Sequence, residues 1–275
     1  MNHRMMSSVD FLDRGNGNLL AYRQIQVECE STKNKDSQPT TTTTASRLND
    51  HNQHNGTRRG FMFLPGFMSN MNGEKALTLE HFCKKSRYEF IRFDYQGCGE
   101  SKGEIDLNNY PFDIWKNDAL AVLDNLTTGP QVLVGSSMGG VIMLLLALER
   151  PERIHSLIGI STPNFENTSS TTDTRNPETA KNRNSVFDMA TFIGKHNREL
   201  FSQSSLAINC PIRLIHGMED DVVNYHSALE LARKIQSVDV QVTLVKSGTH
   251  RMSTPQGLEI LLNTVKEILG LKSYL

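Results

Sequence analysis

The sequence predicts an α/β fold, with a mostly parallel central sheet and helices on both faces. Two observations predict it. Short, largely apolar runs such as Gly60–Phe61–Met62–Phe63–Leu64 and Gln131–Val132–Leu133–Val134 have the length and composition of strands buried on both sides. Stretches of helical spacing separate these runs, and such alternation means parallel strands joined by right-handed crossovers.

Taken in order, Leu19 to Val27 reads as an early strand, preceded by the hairpin-type turn signal Gly15–Asn16–Gly17–Asn18. The run from Gly60 to Leu64 ends at Pro65–Gly66, and Lys75 to Arg87 has helical spacing. Phe90–Ile91–Arg92–Phe93 is the next strand, closed by the Gly-rich turn Asp94–Tyr95–Gln96–Gly97–Cys98–Gly99. That turn reads as architecture, because a phosphate cradle would open a helix and bring a Lys or acidic partner. Ile114 to Leu126 is an amphipathic helix, Gln131 to Val134 a strand, and Met138 to Glu149 an apolar helix stopped before Pro151. Strands at His155–Ile160 and Ile212–Ile215 flank a long insertion. A helix at Ser227–Lys234, a last strand at Val238–Val245 and a closing helix at Gly257–Leu269 complete the series.

A chain of 275 residues suits one large α/β domain spanning residues 1–275. Two stretches, Glu30 to Arg59 and Glu166 to Ser185, hold almost no large apolar residues and cannot offset the entropy of ordering. They are expected to be a mobile low-complexity insert at 30–59 and part of a short lid region at about 162–209. The net charge of −1, with both signs interspersed, argues against nucleic acid as a partner. The longest apolar run, Val141 to Leu148, is too short to span a bilayer. Met1 to Asp10 has no apolar h-region, and too little basic character for a mitochondrial presequence. The four cysteines show neither paired spacing nor a metal-ligand pattern, so they are expected to be free thiols, with no metal or cofactor bound.

Chemistry concentrates at Gly135–Ser136–Ser137–Met138–Gly139, a G-x-S-x-G string that starts where a strand ends and opens directly into a helix. A turn that tight needs flanks without side chains, and it would lift the Ser137 hydroxyl above the sheet at the positive end of the helix. The competing reading is a plain turn with a capping serine. Ser136 sits one residue early and is given a supporting role at most.

A serine hydroxyl needs an imidazole to take its proton. Of the nine histidines, His250 alone follows the last strand in a Gly-containing loop, Lys246–Ser247–Gly248–Thr249–His250. His216 ends a strand and reads as structural. The string His216–Gly217–Met218–Glu219–Asp220–Asp221–Val222–Val223 places acids on a loop able to reach His250. Its H-G-x-x-D-x-x-V pattern favours Asp220 over Glu219 and Asp221. Asp220 would fix the His250 tautomer and stabilise the imidazolium. The backbone N–H groups of Phe67 and Met138 are the expected oxyanion donors, and Met68 and Met218 are candidates for an acyl pocket.

With these residues assembled, the chain resembles the α/β-hydrolase family. Within it, the chain is similar to the mitochondrial palmitoyl-protein thioesterases of the α/β-hydrolase-domain group, which are also acyl-glucuronide esterases. The resemblance rests on Phe63–Leu64–Pro65–Gly66–Phe67, Met71–Asn72–Gly73, Ile91 to Tyr95, Gly129 to Gly140, Arg150–Pro151–Glu152, Cys210 to Asp221 and His250–Arg251–Met252. It implies the α/β-hydrolase fold, a triad of Ser137, Asp220 and His250, and cleavage of S-acylated proteins or small acyl esters. It also implies a mitochondrial address; if the absent presequence is genuine, a cytosolic one is expected instead. A general small-ester carboxylesterase and a non-catalytic receptor on a hydrolase scaffold are the competing readings.

Overall fold

Period-two alternation along the buried strands decides how the layers stack. Phe61 and Phe63 pack to one side of the sheet with Ala76, Leu79, Cys83, Leu261 and Val265, while Met62 and Leu64 pack to the other. A computed structural model of the chain describes residues 8–27, 53–54, 57–58, 60–106, 111–164, 197, 199 and 201–271.

Eight strands form the main sheet: β1 (Asp10–Asp13), β2 (Leu19–Ile25), β5 (Gly60–Leu64), β6 (Glu89–Phe93), β7 (Gln131–Ser136), β8 (Ile154–Ile160), β9 (Ile212–Gly217) and β10 (Val240–Val245). Their spatial order is β1-β2-β6-β5-β7-β8-β9-β10. The strands from β6 to β10 run parallel, whereas β2 is antiparallel to both β1 and β6. A separate ribbon pairs β3 (Gln53–His54) with β4 (Thr57–Arg58). The rest of the insert at 30–59, and most of the region 162–209, lie outside the described residues.

Helices α1 (Glu74–Ser86) and α5 (Pro255–Ile268) cover one face of the sheet. The other face carries α2 (Pro111–Leu126), α3 (Met138–Glu149) and α4 (His226–Lys234). Every residue of α3 from Met138 to Ala147 is buried, as expected of a helix apolar on all sides.

The structure adds one strand and moves several element ends, among them α2, which starts at Pro111 rather than Ile114, and β10, which starts at Val240 rather than Val238. The turn at Gly15–Asn18 does close a hairpin, with Arg14 N–H donating to Asn18 O (2.8 Å). Its first strand, β1, was not anticipated: four residues at the sheet edge, most of them exposed, show no alternation to read. The closing helix starts at Pro255 rather than Gly257, because the Thr254 side chain caps it by accepting the Gly257 N–H (3.2 Å).

With the strands from β5 to β10 parallel, the exits of β5, β7, β9 and β10 all lie at one edge of the sheet. Open α/β sheets carry their sites at that edge.

Candidate active site

Ser137 is the single residue between β7 and α3, with φ 54° and ψ −119°, a conformation that strains any residue bearing a Cβ. Two backbone bonds hold it there: Ser137 N–H donates to Ile160 O (2.8 Å), and Gly140 N–H donates to Ser137 O (2.9 Å). The glycine spacing has a steric cause. A Cβ on Gly135 would lie 2.5 Å from Gly139 O, and one on Gly139 would run into the carbonyl oxygens of Leu64 and Pro65.

The structure brings the three expected side chains into line. His250 Nε2 is 3.0 Å from Ser137 Oγ, and His250 Nδ1 is 3.0 and 2.9 Å from the two carboxylate oxygens of Asp220. These residues come from the exits of three strands. Glu219 N–H donates to Gly248 O (2.9 Å), which ties the acid loop to the histidine loop. Asp220 Oδ1 also accepts the N–H groups of Val222 (2.9 Å) and Val223 (2.8 Å). Glu219 and Asp221 are exposed, so the choice left open among the acids falls on Asp220. Burial pushes the Asp220 carboxyl up, but donors from His216, His250, Val223 and Val222 outweigh it and hold the group well below the usual carboxylate range.

The loop after β5 passes directly beside the serine, since a Cβ on Gly66 would sit 3.4 Å from Ser137 Cβ. Phe67 is in this loop, with its ring against Trp115 at a centroid distance of 5.8 Å. Met138 is the first residue of α3, so its amide has no carbonyl within the helix to bond. Asp94 braces the loop by accepting Met71 N–H (2.6 Å) and Glu100 N–H (2.8 Å), an architectural role for the turn after β6.

A cavity of about 670 Å³ opens onto Ser137 and His250. Phe63, Pro65, Phe67, Met68 and Val222 form its apolar wall, and Ser69, Asn70, Glu74, Lys75, Arg251 and Ser253 the polar one. Of the two methionines considered for an acyl pocket, Met68 lines this cavity and Met218 is not among its lining residues. Met218 N–H donates to Val245 O (2.8 Å), which holds that residue on the β10 side, away from β7, with its side chain exposed. The Met138 side chain is in the core.

Of two further neighbours of the site, Lys75 is not singled out by the sequence and His216 reads there only as structural. Lys75 Nζ, on α1, donates to Arg251 O and to Ser253 Oγ (3.3 Å), tying α1 to the chain just after His250. Burial lowers its ammonium to about 8, with Glu74 opposing and Arg251 adding to the shift. His216 is fully buried, its Nε2 3.1 Å from Asp220 Oδ2. The spacing between His216 and Asp220 is the signal that could have paired them.

Comparison with known proteins places the fold in a family. The profile of the alpha/beta hydrolase fold matches residues 61–183. Human palmitoyl-protein thioesterase ABHD10, mitochondrial, is 36% identical over 230 residues, covering 78% of this chain and 74% of that protein. The mouse protein of the same name is 37% identical over 229 residues, covering 78% and 76%. Among solved structures, alpha/beta hydrolase domain-containing protein 10 from mouse superposes with a TM-score of 0.72 at 32% identity, over 96% of this chain and 99% of that one. A putative hydrolase from Agrobacterium vitis S4 gives a TM-score of 0.71 at 26% identity, over 96% and 98%. By fold, by the arrangement of Ser137, His250 and Asp220, and by these similarities, the chain belongs to the α/β-hydrolase family.

Proposed function

We propose that this chain is a serine hydrolase that cleaves acyl thioesters and esters through an acyl-enzyme on Ser137, with S-palmitoylated protein cysteines among its substrates. The observation that carries the chemistry is the unbroken line of contacts from Ser137 Oγ to His250 (3.0 Å) and from His250 to Asp220 (2.9 Å). His250 takes the hydroxyl proton as Ser137 Oγ attacks the acyl carbon, and Asp220 stabilises the imidazolium. The N–H groups of Met138 and Phe67 receive the charge that develops on the carbonyl oxygen. Collapse expels a thiol or alcohol protonated by His250. A water activated by the same imidazole then releases the acid.

The substrate class comes from the relatives, whose names give palmitoyl-protein thioesterase activity and mitochondrial residence; both are proposed for this chain. The apolar wall of Phe63, Pro65, Phe67 and Met68 would seat the start of an acyl chain. The polar wall favours a second reading, an esterase for shorter or polar acyl esters such as acyl glucuronides.

Hydrolysis of a palmitoyl-thioester by wild type and Ser137→Ala tests the first reading. The variant should lose at least about 10³-fold in rate while keeping its fold. Equal turnover by the two proteins would remove Ser137 from the mechanism.

A further inference from the structure

The acid at the back of the site has a second imidazole on it. His216 is the next-to-last residue of β9 and is fully buried. Its Nε2 lies 3.1 Å from Asp220 Oδ2 and 3.0 Å from the carbonyl oxygen of Val223. A carbonyl oxygen only accepts, so the proton is on Nε2, and that N–H is shared between the carbonyl and the carboxylate. Nδ1 is buried and has no hydrogen-bond partner among the described residues. The ring's one engaged edge therefore faces Asp220 and Val223.

A carboxylate offers about four lone-pair directions to donors. At Asp220, the N–H groups of Val222 and Val223, Nε2–H of His216 and Nδ1–H of His250 supply four. Val223 is used twice, donating its N–H to Oδ1 and accepting from His216 through its carbonyl. His216, Asp220 and Val223 thus form a closed ring of bonds. One corner of it is on a strand, whereas Asp220 is on the loop that follows.

We infer that His216 is a positioning residue: it pins the Asp220 carboxylate to the end of β9 in the rotation that serves His250. The inference rests on the triad reading above. A loop carboxylate with only backbone amides on one oxygen could swing its other oxygen away from the imidazole. The strand-borne donor prevents that swing, and rigid strand positions hold geometry better than loops do. His216 touches no reacting atom and acts only through Asp220.

Three measurements together test it. Wild-type turnover of an acyl thioester is measured first, because its absence would count against the triad reading and leave the role of His216 a separate matter. His216→Leu, which keeps bulk but removes the donor, should lower kcat by about tenfold or more with KM within about twofold. His216→Gln, whose amide can donate to the same oxygen, should recover most of that loss. A folded His216→Leu with wild-type kcat overturns the inference, as does an equal loss in the leucine and glutamine variants at unchanged melting temperature. The third measurement needs no variant at position 216. Proton–nitrogen correlation spectra of protein carrying isotope-labelled histidine report the tautomer of each ring, and His250→Ala identifies the His250 signals. His216 should carry its proton on Nε2; an Nδ1–H tautomer there overturns the inference even if every variant at position 216 fails to fold.

Discussion

Ser137 holds a backbone conformation that suits glycine, and the proposed mechanism needs its hydroxyl there. The same residue therefore carries both the strain and the proposed chemistry, and two substitutions separate them. Ser137→Ala and Ser137→Gly both remove the hydroxyl, but only the second relieves the strained Cβ. The glycine variant should be more stable by about 1 kcal/mol after allowing for the greater freedom of its unfolded chain. Chemical denaturation of the two proteins checks this, and the opposite order would mean that the bend is unstrained. Asp220 makes a second prediction at this scale. Its donors hold it ionised to lower pH than in the unfolded chain, where a carboxyl titrates at about 3.9. Its contribution to stability is then complete above that value and drains away as the pH falls toward the depressed folded pKa. The stability gap between wild type and Asp220→Asn should narrow steadily below about pH 4. A gap that is flat across that range would mean the carboxylate gains nothing from its four donors.

Between elements, the site depends on close approach. Gly139 lets α3 sit against the carbonyls at the end of β5, so Gly139→Ala must push the helix and the serine away from the loop after β5. It should cost about 1–3 kcal/mol in stability. Turnover should fall by about 10²-fold, because displacing a nucleophile by about 1 Å is enough for that. Lys75 ties α1 to the loop that carries His250, across 176 residues of sequence. Its ammonium titrates at about 8 when folded and at 10.5 in the unfolded reference. Between those values the unfolded chain holds more protons, so the stability contributed by this group rises with pH. Wild type should gain on Lys75→Met in melting temperature as pH increases from about 8 to about 10.5. Parallel curves would contradict a buried ammonium.

For the whole molecule, legibility in the sequence followed burial and locality. The strands buried on both faces are short apolar runs, and Gly60–Leu64 could be read directly. The edge strand Asp10–Asp13 could not, because a strand facing water needs no apolar pattern. The bend at Ser137 is legible because its glycine spacing is a steric requirement of a turn crowded by the helix backbone and by the carbonyls at the end of β5. Asp220 and His250 were legible through the order of strands, since strand exits share one edge. Met218, a candidate for the pocket from its place beside the acid loop, has its N–H bonded to β10 and its side chain exposed. Lys75 was missed for the converse reason: its partners are far along the chain and leave no local pattern. At this scale, the preference for acyl length is the open quantity. A depalmitoylating enzyme should hydrolyse thioesters with rates that rise or hold from short chains to palmitoyl, whereas a short-chain-only profile would leave the small-ester reading in its place.

The account turns on Ser137 being a nucleophile activated through His250. Peptide mapping of the folded protein after treatment with a fluorophosphonate tests this most directly. The predicted result is one phosphonylated residue, Ser137, with labelling slowed by about 10²-fold or more in His250→Ala. A wild-type protein that stays unlabelled, or carries the adduct on Ser136 with Ser137 bare, would contradict it.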